Sequence, residues 1–369
     1  MSEPFASLRR LLSESGYTFV EPPIVHPASV FVELAGEDLR RRLYLTSAAD
    51  GVELALRPDY TIPVCLHHLA TGPARRKADY AYLGPVFRIR GDEPGEFLQA
   101  GVESLGRTDR VAADADMLKL AFAAADLLGV RKPSVRIGDS ALFAAVVEAL
   151  DLNPPWRRRL ERTFGDSKRL KALIAKANGK ARPAPSRLAS GLAGADRAKV
   201  RHAVEAQFAA TGLGSVGGRT PVEIAERFVE KQALAHGIAA RAASILSAFL
   251  AISGTPATAL DALRALARAE KLDLAKAVER FEKRTQAFAA HGIDLDRLTF
   301  AADFGRRLDY YTGFVFEFHG NGRNAGPLIG GGRYDRMMTL IPRSSRGTAR
   351  ESVPAVGFSI WLDRIGAQS

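Results

Sequence analysis

Residues 302–333 read ADFGRRLDYYTGFVFEFHGNGRNAGPLIGGGR, and four of the early side chains, Arg306, Asp309, Tyr310 and Tyr311, are of types that can grip a small zwitterion. A guanidinium forks onto a carboxylate, and phenols place hydroxyls on rigid apolar bodies. The same four residues could instead form an arginine–aspartate surface pair beside two half-buried tyrosines. The triple glycine 330–332, followed by Arg333, favours a site. Consecutive glycines let a backbone come close to a ligand or to another strand.

A second polar set lies in the first half of the chain. FLQAGVES at 97–104 alternates, so that Gln99, Gly101 and Glu103 share one face of a strand and Leu98, Ala100 and Val102 the other. On a central strand such a polar face needs partners or a ligand; on an edge strand it is simply wet. Upstream, Arg57-Pro58-Asp59-Tyr60-Thr61 closes one strand, because proline cannot continue the ladder, and Thr61 opens a helix to about residue 69. Arg88 ends a further strand over 81–89. Cys65, His67 and His68 suggest a metal group, but they fall on an apolar helix with no further ligand pattern and are set aside.

These residues need elements to hold them. The spacing predicts a helix over 4–15, a strand over 17–20 and a helix over 28–35. A hairpin is expected from 42–46 and 52–56 around Asp50-Gly51. A long helix should follow at 109–128, a strand at 134–138 and a helix at 140–150. From 153 to about 293 alanine, arginine, lysine and leucine dominate, which reads as a helical insertion. The β-rich pattern then resumes with strands at 312–319 and 326–330, and ends in a strand passing into a helix over 354–364. Strands on both sides of a helical insertion imply an α+β fold: one antiparallel sheet built from both halves and flanked by helices, with domains at 1–150, 151–294 and 295–369. The polar strand-end groups then converge: Asp59, Thr61, Arg88, Gln99, Glu103, Arg306, Tyr310 and Tyr311.

Composition narrows the classes. The chain has 369 residues, 47% of them hydrophobic, a single cysteine and a net charge of +11. One cysteine excludes an internal disulfide and a cysteine-based zinc cluster. No apolar run reaches the roughly twenty residues a membrane-spanning helix needs, and no basic-then-apolar leader opens the chain. A reducing cytoplasm is the expected location. The positive charge permits nucleic-acid binding, but much of the excess lies between Trp156 and Arg201, where a solvated helical face accounts for it.

Six pieces, RPDYT at 57–61, Phe87-Arg88, QAGVE at 99–103, LDYY at 308–311, GGGRYD at 330–335 and AVGF at 355–358, resemble in order the catalytic domain of histidyl-tRNA synthetase, a class II synthetase. The resemblance covers about 1–140 and 295–369 and implies a homodimeric core with a histidine pocket. It places Asp59, Thr61 and Gln99 at the amino group of L-histidine and Arg306 at its carboxylate. Glu103 and Tyr311 would read the imidazole, and Arg88 would lie near the amino acid. The sequence also departs from that family. No anticodon-binding domain is expected after Ser369, and Asp59-Tyr60 and Arg307 stand where the family has glutamate-glycine and glycine. Trp361 replaces a glycine that borders the nucleotide, so an indole should occupy the space of the adenine. A chain with these departures is similar to the regulatory subunits of ATP phosphoribosyltransferase. That similarity implies no catalytic residue, no cofactor and no metal here. It also implies a short-form catalytic subunit as partner in a hetero-oligomer of histidine biosynthesis, with feedback sensing of histidine. The alternatives are a synthetase-like enzyme forming histidyl-adenylate, and a tRNA-binding module, for which weak, steeply salt-dependent binding is expected.

Overall fold

A computed structural model describes residues 3–34, 39–91, 93–178, 237–306, 310–320, 326–341 and 351–366, with 202, 206 and 234 singly. Two compact units emerge, one formed by Met1–Ala145, Phe164–Asp166 and Phe249–Ser369, the other by Val146–Thr163 and Ser167–Ala248.

The first unit is organised by a nine-stranded sheet. Its strands are β1 (Thr18–Phe19), β5 (Ala78–Phe87), β6 (Glu96–Leu105), β7 (Ser134–Asp139), β8 (Ser253–Gly254), β9 (Leu298–Ala301), β10 (Phe314–His319), β11 (Ile329–Arg333) and β12 (Ala355–Trp361). In space they run β1-β5-β6-β12-β11-β10-β7-β9-β8. The two halves of the chain interleave: β6 pairs with β12, Gln99 opposite Trp361 and Glu103 opposite Gly357, and β7 pairs with β10. The sheet is mixed, which corrects the antiparallel expectation, because β1 runs parallel to β5 and β7 parallel to β9. Both parallel partners are short strands at the flanks; the stretch that carries the polar residues is antiparallel throughout.

Period-two alternation decides which face is which. Phe314, Phe316 and Phe318 of β10 point to one side, where Phe288 lies 5.2 Å from Phe314 and Phe122 lies 4.8 Å from Phe318. These partners belong to the helices Ala275–Ala290 and Arg110–Leu127. Glu317, one residue out of phase, points to the other side with Gly330 opposite it. The strand expected at 326–330 is Ile329–Arg333, so the three glycines are the strand itself. They let β11 lie close to its neighbours: a Cβ at Gly331 would overlap the carbonyl oxygen of Gly357.

A three-stranded antiparallel sheet, β2 (Val25–Pro27), β4 (Glu53–Leu56) and β3 (Leu45–Ser47), contains the expected hairpin. Gly51 adopts φ +83° in its turn, and Asp50 Oδ1 accepts from the Val52 N–H at 3.1 Å. The helix Thr61–Thr71 buries Cys65. His68 in that helix is engaged on both ring nitrogens, by Tyr80 Oη at 3.2 Å and the Ala74 carbonyl at 2.9 Å.

The second unit contains the helices Pro154–Thr163 and Ser167–Ala177, which bury Trp156, Leu160, Leu170, Ile174 and Ala177 among exposed basic residues. The expected insertion at 151–294 is therefore divided. The helices Pro256–Glu270 and Ala275–Ala290 lie within the first unit. The physical reason is in the second of them, which turns Phe281, Arg284 and Phe288 inward against the sheet and the helix Arg110–Leu127.

Candidate functional site

The loop 57–61 is fixed by arginines acting on carbonyl groups. Arg57, 1% exposed, donates to the carbonyls of Pro22 (2.6 Å) and Pro85 (2.9 Å) and to Tyr60 Oη (2.5 Å). Arg88 donates through Nε and Nη2 to the Pro58 carbonyl at 2.9 and 2.7 Å. Gln99 reaches over from β6 and its Oε1 accepts from the Tyr60 N–H at 3.2 Å. Held in this way, Asp59 is buried. Its Oδ1 takes a long bond of 3.5 Å from the Ile62 N–H, and its Oδ2 is buried with no hydrogen-bond partner among the described residues. Burial raises the Asp59 carboxyl despite the nearby positive charge of Arg88.

Glu103, also on β6, lies over Gly357, where a Cβ would overlap its carboxylate. Tyr334 donates its hydroxyl to Glu103 Oε2, and Thr61 hydrogen-bonds the same carboxyl. Burial outweighs these bonds and pushes the Glu103 carboxyl up to about 8. The polar face of β6 is thus internal, since β6 lies between β5 and β12, and the edge-strand alternative is excluded.

The third wall comes from the second half of the chain. Arg306 occupies the space that Gly330 leaves free, with Nη1 2.7 Å from where a Cβ would stand. Nη1 donates to Tyr311 Oη at 3.1 Å, and Nε lies 3.4 Å from Glu317 Oε1. Tyr310 and Tyr311 lean on each other, 4.8 Å between ring centres, and burial raises the Tyr311 hydroxyl to about 12.

All eight residues singled out in the sequence, Asp59, Thr61, Arg88, Gln99, Glu103, Arg306, Tyr310 and Tyr311, line one cavity of about 30 Å³. Asp309 and Arg307 lie outside the described residues. Tyr60, whose bulk replaces a glycine of the synthetase pattern, faces away from the cavity and stacks on Tyr82 at 4.4 Å and 7°. Sequence reasoning missed Tyr334 and Ser359 as lining residues. The signal for Tyr334 was available: counted in twos from Gly330 and Gly332 along one strand face, the next position is Tyr334.

Next to this inner cavity lies a cleft of about 550 Å³ lined by Arg42, Arg88, Arg90, Arg306 and Arg364 with Glu93 and Glu317. Trp361, 5% exposed, borders both spaces, with the guanidinium carbons of Arg306 and Arg364 at 5.6 and 5.4 Å from the ring centre. Chemically the inner cavity offers the carboxyl groups of Asp59 and Glu103, the guanidiniums of Arg88 and Arg306, and the phenols of Tyr310, Tyr311 and Tyr334. Such an arrangement complements a small molecule carrying an ammonium and a carboxylate.

Sheet topology, the glycine strand and this polar cavity define the class: a class II synthetase core of the histidyl type. A family model described as "Histidyl-tRNA synthetase" matches residues 1–213 and 225–365. The fold is that of a crystal structure from Bacillus halodurans titled as an ATP phosphoribosyltransferase regulatory subunit/histidyl-tRNA synthetase. That match has a TM-score of 0.68 and 21% identity, covering 99% of this chain and 78% of that one. It is also the fold of histidyl-tRNA synthetase from Nostoc, with a TM-score of 0.63, 20% identity and coverage of 99% and 70%. Proteins of Brucella canis and Brucella abortus named "ATP phosphoribosyltransferase regulatory subunit" are each 43% identical over 368 residues, which is 98% of this chain and 96% of theirs. The chain belongs to the family of ATP phosphoribosyltransferase regulatory subunits.

Proposed function

We propose that this chain acts as a non-catalytic subunit that activates a separate short-form ATP phosphoribosyltransferase catalytic subunit in the cytoplasm, and that its inner cavity senses L-histidine. A homodimer of this chain within a hetero-oligomer is part of the same reading. Near-full-length identity to the Brucella regulatory subunits supports the partnership. The observation that carries the ligand is Asp59 Oδ2, a buried carboxylate oxygen without a hydrogen-bond partner among the described residues. A buried acceptor of this kind is costly to leave unmade, and the α-ammonium of an amino acid would satisfy it. Glu103 and Tyr311 would then meet the imidazole, and Arg306 the carboxylate. Trp361, filling the border of the arginine cleft, argues against an adenine stacking there and so against histidyl-adenylate formation.

Mixing the chain with a short-form catalytic subunit should raise the rate of phosphoribosyl transfer to ATP, and histidine should lower that rate. Arg306→Ala should retain the activation but weaken histidine binding, measured by calorimetric titration, by roughly 10- to 100-fold, the range for a charge-assisted hydrogen bond. An unchanged rate on mixing would refute the partnership. Absence of heat and of thermal shift with millimolar histidine would refute the sensing role.

A further inference from the structure

The inner cavity, at about 30 Å³, has room for about two water molecules, so histidine does not fit it with every wall in place. Most of the walls are tied down. Gln99 is bonded to the Tyr60 N–H, Tyr334 to Glu103, and Tyr82 to Ser359 Oγ at 2.8 Å. Trp361 is different. Its indole makes no hydrogen bond among the described residues; it is held by contact with two guanidiniums, those of Arg306 and Arg364, whose carbons lie 5.6 and 5.4 Å from the ring centre. Two glycines make room for this clamp. A Cβ at Gly330 would come within 2.7 Å of Arg306 Nη1, and one at Gly326 within 2.6 Å of Arg364 Nη1. Arg306 and Trp361 both line the inner cavity and the 550 Å³ cleft.

We infer that Trp361 is the residue that decides what the inner cavity admits: it closes the cavity in the free protein and moves toward the cleft when an amino-acid zwitterion binds. The ligand itself supplies the trigger. Arg306 has only a 3.4 Å approach to Glu317 as its anionic contact among the described residues, so an incoming carboxylate competes well for the guanidinium. Once Arg306 turns to that carboxylate, one side of the clamp is lost and the indole is released. The cost of opening falls on every ligand, but only one that carries an anionic group within reach of Arg306 offsets it. Trp361 therefore selects for the zwitterion over an imidazole or an amine alone. This inference rests on the histidine reading given above.

The chain has two tryptophans, and Trp156 Nε1 has no hydrogen-bond partner among the described residues, so Trp156→Phe removes the other fluorophore without losing a bond to any of them. Titrating that variant with histidine should red-shift and quench the remaining emission, while histamine, which lacks the carboxylate, should do neither. Trp361→Ala should tighten histidine binding by about five- to tenfold, the worth of two guanidinium–indole contacts. Because removing a buried indole can impair folding, Arg364→Gln serves as the second variant. Arg364 lines the cleft but not the inner cavity, and its replacement should red-shift the emission without ligand and tighten histidine binding by about threefold. Histidine binding seen by calorimetry with unchanged Trp361 emission, and with unchanged affinity in both variants, would overturn the gate and leave the histidine reading intact. No binding by the wild type but binding by either variant would overturn both the opening of Trp361 by the ligand and the sensing role. No binding by any of them would overturn both.

Discussion

Asp114→Ala should destabilise the sheet-containing unit by roughly 3–5 kcal/mol, the range for breaking a buried ion pair by removing one partner. Asp114 is 1% exposed and serves two guanidiniums at once. Its Oδ1 accepts from Arg333 Nε at 2.9 Å and Nη2 at 2.7 Å, and its Oδ2 from Arg284 Nε at 2.9 Å. Each arginine has a second carboxylate, Asp139 for Arg284 at 2.6 Å and Asp335 for Arg333 at 2.9 Å. The alanine variant would leave three donor bonds unmade in a dry interior, and the arginines cannot shed their protons to escape. Asp114→Asn, which keeps one acceptor oxygen, should cost less. Thermal unfolding followed by circular dichroism should show the alanine midpoint lowered by roughly 6–12 °C. A fall of under about 2 °C would mean that the network is solvated or readily rearranged.

The same network reaches the cavity. The Asp335 N–H donates to Thr312 Oγ1 at 3.0 Å, and the Thr312 N–H to the Arg333 carbonyl at 2.8 Å. Thr312 follows Tyr311 directly, and Tyr334, which bonds Glu103, lies between Arg333 and Asp335. Two walls of the cavity therefore inherit their positions from a charge cluster on the helix side of the sheet. A structural arginine–aspartate cluster and a candidate ligand site share one backbone segment.

The cavity residues were legible because their signals are local. Period two put Gln99 and Glu103 on one face, Pro58 ended a strand next to Asp59, and the glycine run marked a close approach. The Asp114 network was not legible, because its members are 170 and 219 residues apart in the chain. One hint did exist. Arg284 occupies an inward position of its helix, three residues after Phe281 and four before Phe288, where a solvated helix face has no reason to place those phenylalanines. The helices of 256–290 were assigned to the insertion because an alanine- and arginine-rich amphipathic helix looks the same in sequence whether it packs on a sheet or on other helices. The two parallel pairings involve strands of two and four residues, too short for any periodic signal. The volume of the cavity was out of reach for another reason: it depends on side-chain rotamers, above all where the Trp361 indole settles.

Glu103 makes the stability of the folded chain depend on pH in an unusual direction. Its carboxyl is raised from an ordinary 4.5 to about 8 by burial, against the hydrogen bonds of Tyr334 and Thr61. Between those two values the folded chain holds a proton that the unfolded chain has released. Stability then falls as pH rises through the window, because the unfolded state binds fewer protons there. The contribution is fully present below about pH 4.5 and lost above about pH 8, and integrated over the window it is on the order of 5 kcal/mol. Most paired surface carboxylates act in the opposite sense, so the effect should show as a decline that runs from about pH 4.5 to about 8 and levels off above it. Asp59, raised by the same burial, adds to it in the same direction. Glu103→Gln cannot ionise, and its amide can still accept from Tyr334. Its denaturation midpoint should fall less than that of the wild type from pH 5 to about 8.5, the remaining slope including Asp59, with the two profiles meeting at the acid end. Parallel profiles would show that Glu103 titrates near its ordinary value, with water reaching a carboxylate placed here in a closed cavity.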